Sequence, residues 1–395
     1  MDVTVKNKVL QSLAALILEN KQQIIAANKE DLLLCQSKDE SIIDRLKVNE
    51  QKVDGMIRSV EDVIQIEDPE GVVLYRHIQE NGIIIENKTV PFGKILIIYE
   101  SRPDVTIEAA VAAFKSGNKI ILKGGKEARI TNLFLVSLWK KALEANGCDS
   151  DYVTYLDISR EATQQLIKDN TQKIDLIIPR GGDALINFVK QHSSIPMIIS
   201  GRGNNFVYID DESDFDMAVA IILNGKERIS VCNAIDKVLI NRNITDVKTK
   251  IAYLHQQLTK NNISVFGNSQ VNAIDTNITI DESATILWEE FLASKIYIAM
   301  VDNLEESISL INTHSGGHSA SIITANADKA KHFQMQVDCA AVYHNASTRF
   351  TDGGQFGFGS EIAISTQKMH FRGPVGVGQL VTNKWFIHGS GQIRK

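Results

Sequence analysis

From residue 91 onward the sequence alternates short, unbroken apolar runs with longer helical segments, and this alternation restricts the fold more than any other feature. The runs Lys94–Tyr99 (KILIIY) and Lys119–Lys123 (KIILK) are unbroken apolar stretches apart from the lysines at their ends. A strand with no polar alternation must be covered on both faces, and strands separated by helices pair in parallel. Between these two runs, residues 104–116 are Ala-rich, open after Pro103 and close at Gly117. A proline just inside the start and a glycine just past the end are helix boundaries. A second helix is expected from about 126 to 145, ended by Asn146-Gly147. Further strands are expected at 153–156, 174–178, 197–199 and 206–209, then a helix over 214–226.

A second such series follows, with KVLIN (237–241), a helix from about 245, ISVF, KIYIAMV, a helix over 304–312, SASIIT, a helix near 329 and AAVYHN. The first seventy residues read as helices, with Val9, Leu13 and Ile17 on one face beside Leu10 and Ala14. Residues 71–90 form a hairpin around Glu80-Asn-Gly82, because Asn-Gly between β-prone runs favours a tight two-residue turn. The tail from 347 is glycine-rich and closes on the strand-like TNKWFIHG. The expected architecture is therefore α/β, with two lobes built on parallel-type sheets plus a hairpin and an extended tail.

Composition removes several classes of function. With 395 residues the chain has room for two or three domains, and its formal charge of -6 without a Lys/Arg run argues against a nucleic-acid partner. No segment reaches the ~20 apolar residues of a membrane span. The N-terminal stretch lacks the basic head and apolar core of a signal peptide. Four cysteines, at 35, 148, 232 and 339, form no CxxC pair and read as reduced thiols of a cytoplasmic protein, with no metal site.

Cys232 lies in ERISVCNAI, between the helix over 214–226 and the strand at 237–241. A thiol at such a junction can meet a small molecule, although most unpaired cysteines are simply small buried hydrophobes. LKGGKEA (122–128) joins a strand to a helix, where glycines let amides approach an anion. Taken alone it reads first as a plain tight turn. IPRGGD (178–183) is a second glycine turn of the same kind, equally an ordinary βα connection or one side of a nucleotide crevice. His314 and His318 have an i, i+4 spacing, but Gly316-Gly317 breaks the helix a metal pair would need, so a solvated turn is expected. In the loop from Ser347 to Gly353 (STRFTDG) the phenylalanine and arginine read as plain core and surface, or equally the loop has the residue types that bind a carboxylate.

Together, ERISVCNA, YESRPDVT (99–106), LKGGKEA, DLIIPRGG and NASTRFTDGGQFGFGSE (345–361) resemble the gamma-glutamyl phosphate reductases, a branch of the aldehyde dehydrogenase superfamily. The likeness runs from the N-terminal helices to the closing GQIRK. It implies an aldehyde dehydrogenase-like fold, with residues 1–70 and 91–224 binding NADPH and 225–360 carrying the catalysis. Residues 71–90 and 374–395 would form an oligomerisation arm, hence a homodimer or larger assembly. The implied reaction is reduction of L-glutamate 5-phosphate to L-glutamate 5-semialdehyde, the second step of proline synthesis, with a glutamate 5-kinase as supplier. Cys232 falls on the nucleophile, which would form a glutamyl thioester whose acyl carbon then receives hydride from NADPH. Oxidising relatives carry a carboxylate base in a Glu-Leu-Gly-Gly turn, whereas the matching stretch here, MIISGRG (197–203), has no acid.

The resemblance also places cofactor contacts. Lys123 would lie by the adenosine ribose, and Lys126 stands where many NAD-using members carry a glutamate, which favours a 2′-phosphate and hence NADPH. Gly181 and Gly182 would line the pyrophosphate side, and Glu290 would hold the nicotinamide ribose. Ser347, Thr348 and Arg349 are expected near the substrate's α-carboxylate, and Arg102 near the phosphate or cofactor. Two departures from the family pattern, Asn205-Phe206 and Asp236, are expected to leave the chemistry untouched. The rival readings are an aldehyde-oxidising or CoA-acylating dehydrogenase, and a non-catalytic scaffold of the same fold.

Overall fold

The computed structural model describes residues 1–37, 40–229 and 231–394, with backbone alone at 40, 41 and 183. The chain divides into two compact units, one of Met1–Ile199, Gly357–Ala363 and Pro374–Lys395, the other of Ser200–Phe356 and Ile364–Gly373.

The first unit contains a four-stranded parallel sheet in the order Val153–Tyr155, Lys119–Lys123, Lys94–Tyr99, Leu176–Arg180. Lys94–Tyr99 is interior, with Ile97 facing Leu122 on one side and Ile178 on the other. Residues 95–99 are all buried, as an apolar run between two neighbours requires. Helices Val105–Lys115 and Arg129–Ala145 cross the sheet and meet the N-terminal helices Val3–Glu19, Lys21–Leu34 and Glu50–Gln65. Val9, Leu10, Leu13 and Ile17 are completely buried, so the apolar stripe read from the sequence is the packed face. Each such side chain contributes about 1.5–3 kcal/mol. Lys6 on that helix is buried too, and is satisfied by Asp68 at 2.9 Å and Glu70 at 2.8 Å.

The hairpin forms as expected, from strands Val73–Ile78 and Ile84–Pro91, with Gly82 at φ +88° in the left-handed region that the turn demands. Val381–His388 adds to Ile84–Pro91 as a third antiparallel strand.

The second unit is a seven-stranded parallel sheet, ordered Thr279–Ile280, Ser264–Gly267, Lys295–Val301, Ile235–Asn241, Asn205–Ile209, Ser319–Ile323, Ala341–His344. Ile235–Asn241 is central and every residue in it is buried. Cys232 therefore stands just ahead of a fully buried strand at the centre of its unit's sheet.

Two expectations change. Residues 200–224, assigned from the sequence to the cofactor lobe, belong to the second unit, because Asn205–Ile209 pairs directly with Ile235–Asn241. The strand expected at 197–199 is a single bridge between Met197 and Ile177, bounded by Pro196 and by Gly201. No described helix is long and apolar enough to cross a membrane.

Candidate active site

Cys232 occupies a turn that the bond from Ala234 N–H to the Val231 carbonyl closes at 3.1 Å. It is half-buried, and none of the four cysteines is in a disulfide. Cys339 differs in kind, since burial pushes its thiol up to about 11 and suppresses the anion.

Two amides hold the turn. The Asn205 side chain, fully buried at the start of its strand, donates to the carbonyls of Cys232 (2.7 Å), Ala234 (2.7 Å) and Gly203 (3.0 Å). Beside it, Gly203 presses on the backbone of Cys232 itself. A Cβ there would lie 2.0 Å from the Cys232 carbonyl oxygen and 2.5 Å from its Cα, so only glycine fits. Asn233 fastens the turn to the 347–351 loop by donating to the carbonyls of Arg349 and Thr351, each at 3.1 Å. In return its carbonyl accepts from Thr348 Oγ1 at 2.8 Å, and its Oδ1 accepts from Arg349 Nη1.

The loop expected to bind substrate is thus bonded to the residue next to the nucleophile. Arg349 is half-buried and drawn below the usual arginine range, by burial first and by Arg228 next, with Asp352, Glu227 and Cys232 opposing. Ser347 is buried and its hydroxyl accepts from the Arg349 N–H at 3.3 Å. Thr348 is completely buried. Both hydroxyls brace the loop, which leaves Arg349 as its ligand-facing candidate. Thr351 extends the network: its Oγ1 lies 2.8 Å from Ser319 Oγ and 2.8 Å from Tyr343 OH, and Ser319 Oγ lies 2.9 Å from His318 Nδ1. His318 is completely buried, not part of a solvated turn as expected, and burial pushes its imidazole down to about 4.

Glu290 lies in the same unit, in the irregular stretch before Lys295–Val301, and accepts the Gly203 N–H at 3.0 Å. Its backbone neighbours meet Asp236 and Lys237, and burial pushes the Lys237 ammonium down to about 7. The two departures therefore do not stand aside from the site. Asn205 grips the Cys232 carbonyl, and Asp236 accepts the N–H of Phe291. Neither role was legible in sequence, because both partners are distant in the chain.

The remaining candidates lie in the first unit. Lys123 ends its strand with Nζ 2.9 Å from the Gly124 carbonyl, and Lys126 is exposed at the first position of a short 3₁₀ turn, Lys126–Ala128. At Gly124 a Cβ would stand 2.2 Å from Asn132 Nδ2, so the backbone there is in close contact with its surroundings. Glu127 accepts from Ser101 N–H (2.8 Å) and Ser101 Oγ (2.6 Å), tying this turn to the YESRP segment. Gly182 caps helix Asp183–His192, and its N–H donates to Glu100 Oε2 at 3.1 Å. The same oxygen would lie 2.5 Å from a Cβ at Gly181. Arg102 is exposed near Glu108, whose carboxyl burial and Asp104 raise to about 7. Lys123, Gly181 and Gly182 stand at the carboxyl ends of parallel strands, where dinucleotides bind in sheets of this type, and exposed Lys126 suits a 2′-phosphate. These residues fit a nicotinamide dinucleotide.

The model of the aldehyde dehydrogenase family matches residues 4–271 and 276–360. The chain is 39% identical to the gamma-glutamyl phosphate reductase of Dictyoglomus thermophilum, over 99% of this chain and 94% of that one. It is 41% identical to that of a Nitratiruptor species, over 100% and 96%. The crystal structure of gamma-glutamyl phosphate reductase from Thermotoga maritima superposes with a TM-score of 0.95 at 38% identity, covering 100% of this chain and 95% of that one. An acetylating aldehyde dehydrogenase from Geobacillus thermoglucosidasius shares the fold, with a TM-score of 0.70 at 17% identity over 100% and 94%. Matched in this way over nearly its whole length, the chain belongs to the aldehyde dehydrogenase family and, within it, to the gamma-glutamyl phosphate reductases.

Proposed function

We propose that the chain reduces L-glutamate 5-phosphate to L-glutamate 5-semialdehyde with NADPH, releasing phosphate, as the second step of proline synthesis in the cytoplasm. The observation that carries the reading is the Cys232 turn, held by Asn205 on one side and bonded through Asn233 to Arg349 on the other. The Cys232 thiolate attacks the acyl carbon, its S–C bond forms as the C–O bond to phosphate breaks, and a glutamyl thioester remains. Arginine near the thiol makes the electropositive setting in which cysteines react as anions. Phosphate is a good leaving group, so this step needs little acid assistance. The backbone N–H of Cys232 supplies one donor to the tetrahedral oxyanion, worth roughly 3 kcal/mol.

When bound, NADPH supplies the hydride that takes the acyl group to the aldehyde level. Lys123 and Lys126 hold its adenosine ribose and 2′-phosphate, Gly181 and Gly182 its pyrophosphate, and Glu290 its nicotinamide ribose. The Gly182 N–H, which donates to Glu100 Oε2, would be the amide offered to that pyrophosphate. Cys232 leaves as a thiolate from the reduced carbon. Residues 197–203 contain no acid to activate water, which favours survival of the thioester until reduction. Arg349 takes the α-carboxylate, with Ser347 and Thr348 bracing its loop, and Arg102 takes the phosphate or the cofactor.

The exposed side chains of Leu74, Tyr75, Ile78, Trp385 and Ile387 give the antiparallel ribbon an apolar surface, and Val73–Ile78 is an edge strand. A second copy of the chain would pair that edge and cover that surface. The ribbon is therefore an oligomerisation arm for a homodimer or larger assembly, which receives its labile substrate from a glutamate 5-kinase.

Reduction of NADP by the wild-type protein on 1-pyrroline-5-carboxylate, beside Cys232→Ala, tests the proposal. Turnover should require inorganic phosphate and vanish in the variant. Turnover with water or CoA in place of phosphate indicates an oxidising or acylating enzyme, and turnover in Cys232→Ala removes the thioester route.

A further inference from the structure

Glu290 sits in an irregular segment, so no strand ladder or helix fixes its backbone. Two consecutive residues of strand Ile235–Asn241 fix it instead. Asp236 Oδ2 accepts the Phe291 N–H at 2.8 Å, and Lys237 Nζ donates to the Glu289 carbonyl at 2.7 Å. These groups belong to the two peptide units on either side of the Glu290 Cα. Holding both planes sets the direction in which the Glu290 side chain leaves the backbone.

The clamp is itself rigid. Lys237 is completely buried, its Nζ lies 3.6 Å from the centroid of the Phe291 ring, and it also donates to Asn204 Oδ1 at 2.9 Å. Asn204 in turn donates to the carbonyls of Leu287 (2.7 Å) and His314 (2.8 Å), tying down the segment that leads to Glu290. Asp236 is ion-paired with buried Lys226 at 2.6 Å. Removing three charged side chains from water is expensive, and apolar packing fastens a loop more cheaply. Their retention beside one carboxylate points to a role in directing that carboxylate.

We propose that Lys237 and Asp236 are positioning residues for the cofactor, which set the backbone of Glu290 so that its carboxylate meets the nicotinamide ribose. The inference rests on the assignment of Glu290 to that ribose. A carboxylate has room for several donors, so Glu290 holds the Gly203 amide and a ribose hydroxyl together.

Direct titration of NADPH binding by nucleotide fluorescence, without substrate, tests this in wild type, Glu290→Gln, Lys237→Met and the double variant. Each single change should weaken NADPH binding by roughly tenfold or more, and the double variant should be no weaker than Glu290→Gln, because the lysine acts through the glutamate. The rate of Cys232 alkylation and the KM for the semialdehyde should stay within about twofold of wild type in Lys237→Met, which a general loss of structure would not allow. Unchanged binding in Glu290→Gln overturns the ribose assignment and the inference with it. Weakened binding in Glu290→Gln with unchanged binding in Lys237→Met overturns the inference alone, as does an additive double variant. If Lys237→Met does not fold, Lys237→Gln, which keeps a polar group and shortens its reach, takes its place in the same cycle.

Discussion

Replacing Gly203 by alanine should disable the nucleophile without touching it. The added methyl would lie 2.0 Å from the Cys232 carbonyl oxygen, against the 3.4 Å at which ordinary contact begins. The Cys232 peptide or the segment around Gly203 must therefore move by more than an ångström, since the obstructing atoms are backbone and cannot rotate away. That movement breaks the 2.7 Å bond from Asn205 and disturbs the amide that Glu290 accepts. Overpacking and one lost buried hydrogen bond together predict a destabilisation of about 2–4 kcal/mol. An ångström of misplacement at a reacting atom predicts a fall in kcat of roughly a hundredfold. The assay is phosphate-dependent NADP reduction at saturating substrate, run beside the rate of Cys232 alkylation by iodoacetamide and a urea melt. Wild-type turnover, alkylation rate and melt in Gly203→Ala would refute the claim that this contact holds the nucleophile.

Lys126→Glu should reverse the preference for the phosphorylated cofactor, weakening NADPH by about 2 kcal/mol, or roughly thirtyfold, while sparing NADH; titration of both nucleotides measures it. Arg349→Ala should raise the apparent KM for glutamate semialdehyde about 10- to 100-fold, read from steady-state kinetics, and an unchanged KM would remove the carboxylate assignment. His318 predicts a pH effect on stability. Its folded value of about 4 lies below the 6.5 of an unperturbed imidazole, so the unfolded chain takes up the proton first as the pH falls. The stability held above pH ~6.5 drains away towards pH 4. Urea melts of wild type and His318→Asn should therefore differ in their loss between pH 7.5 and pH 5 by about 2 kcal/mol, the wild type losing more.

The two parallel sheets were legible because apolar runs such as KILIIY and KIYIAMV, set between helical segments, suit strands covered on both faces. The Asn-Gly hairpin was legible from a local conformational demand. The unit boundary was not. Asn205–Ile209 follows the cofactor lobe in sequence, and only its pairing with a strand some thirty residues later assigns it to the other sheet. His318 was misread for a similar reason, since Gly316 and Gly317 mark a turn but say nothing about what packs over the residue that follows.

The sequence by itself determined the fold class and the kind of chemistry, because periodicity and dense local motifs are short-range signals carried by neighbouring residues. Tertiary structure alone decided what steadies that chemistry: Asn205 on the Cys232 carbonyl, Asn233 joined to Arg349, Asp236 and Lys237 astride Glu290. Most of these pairs are separated by tens to over a hundred residues. A hydrogen bond between them exists only once the buried strands have fixed both ends, so no local pattern announces it.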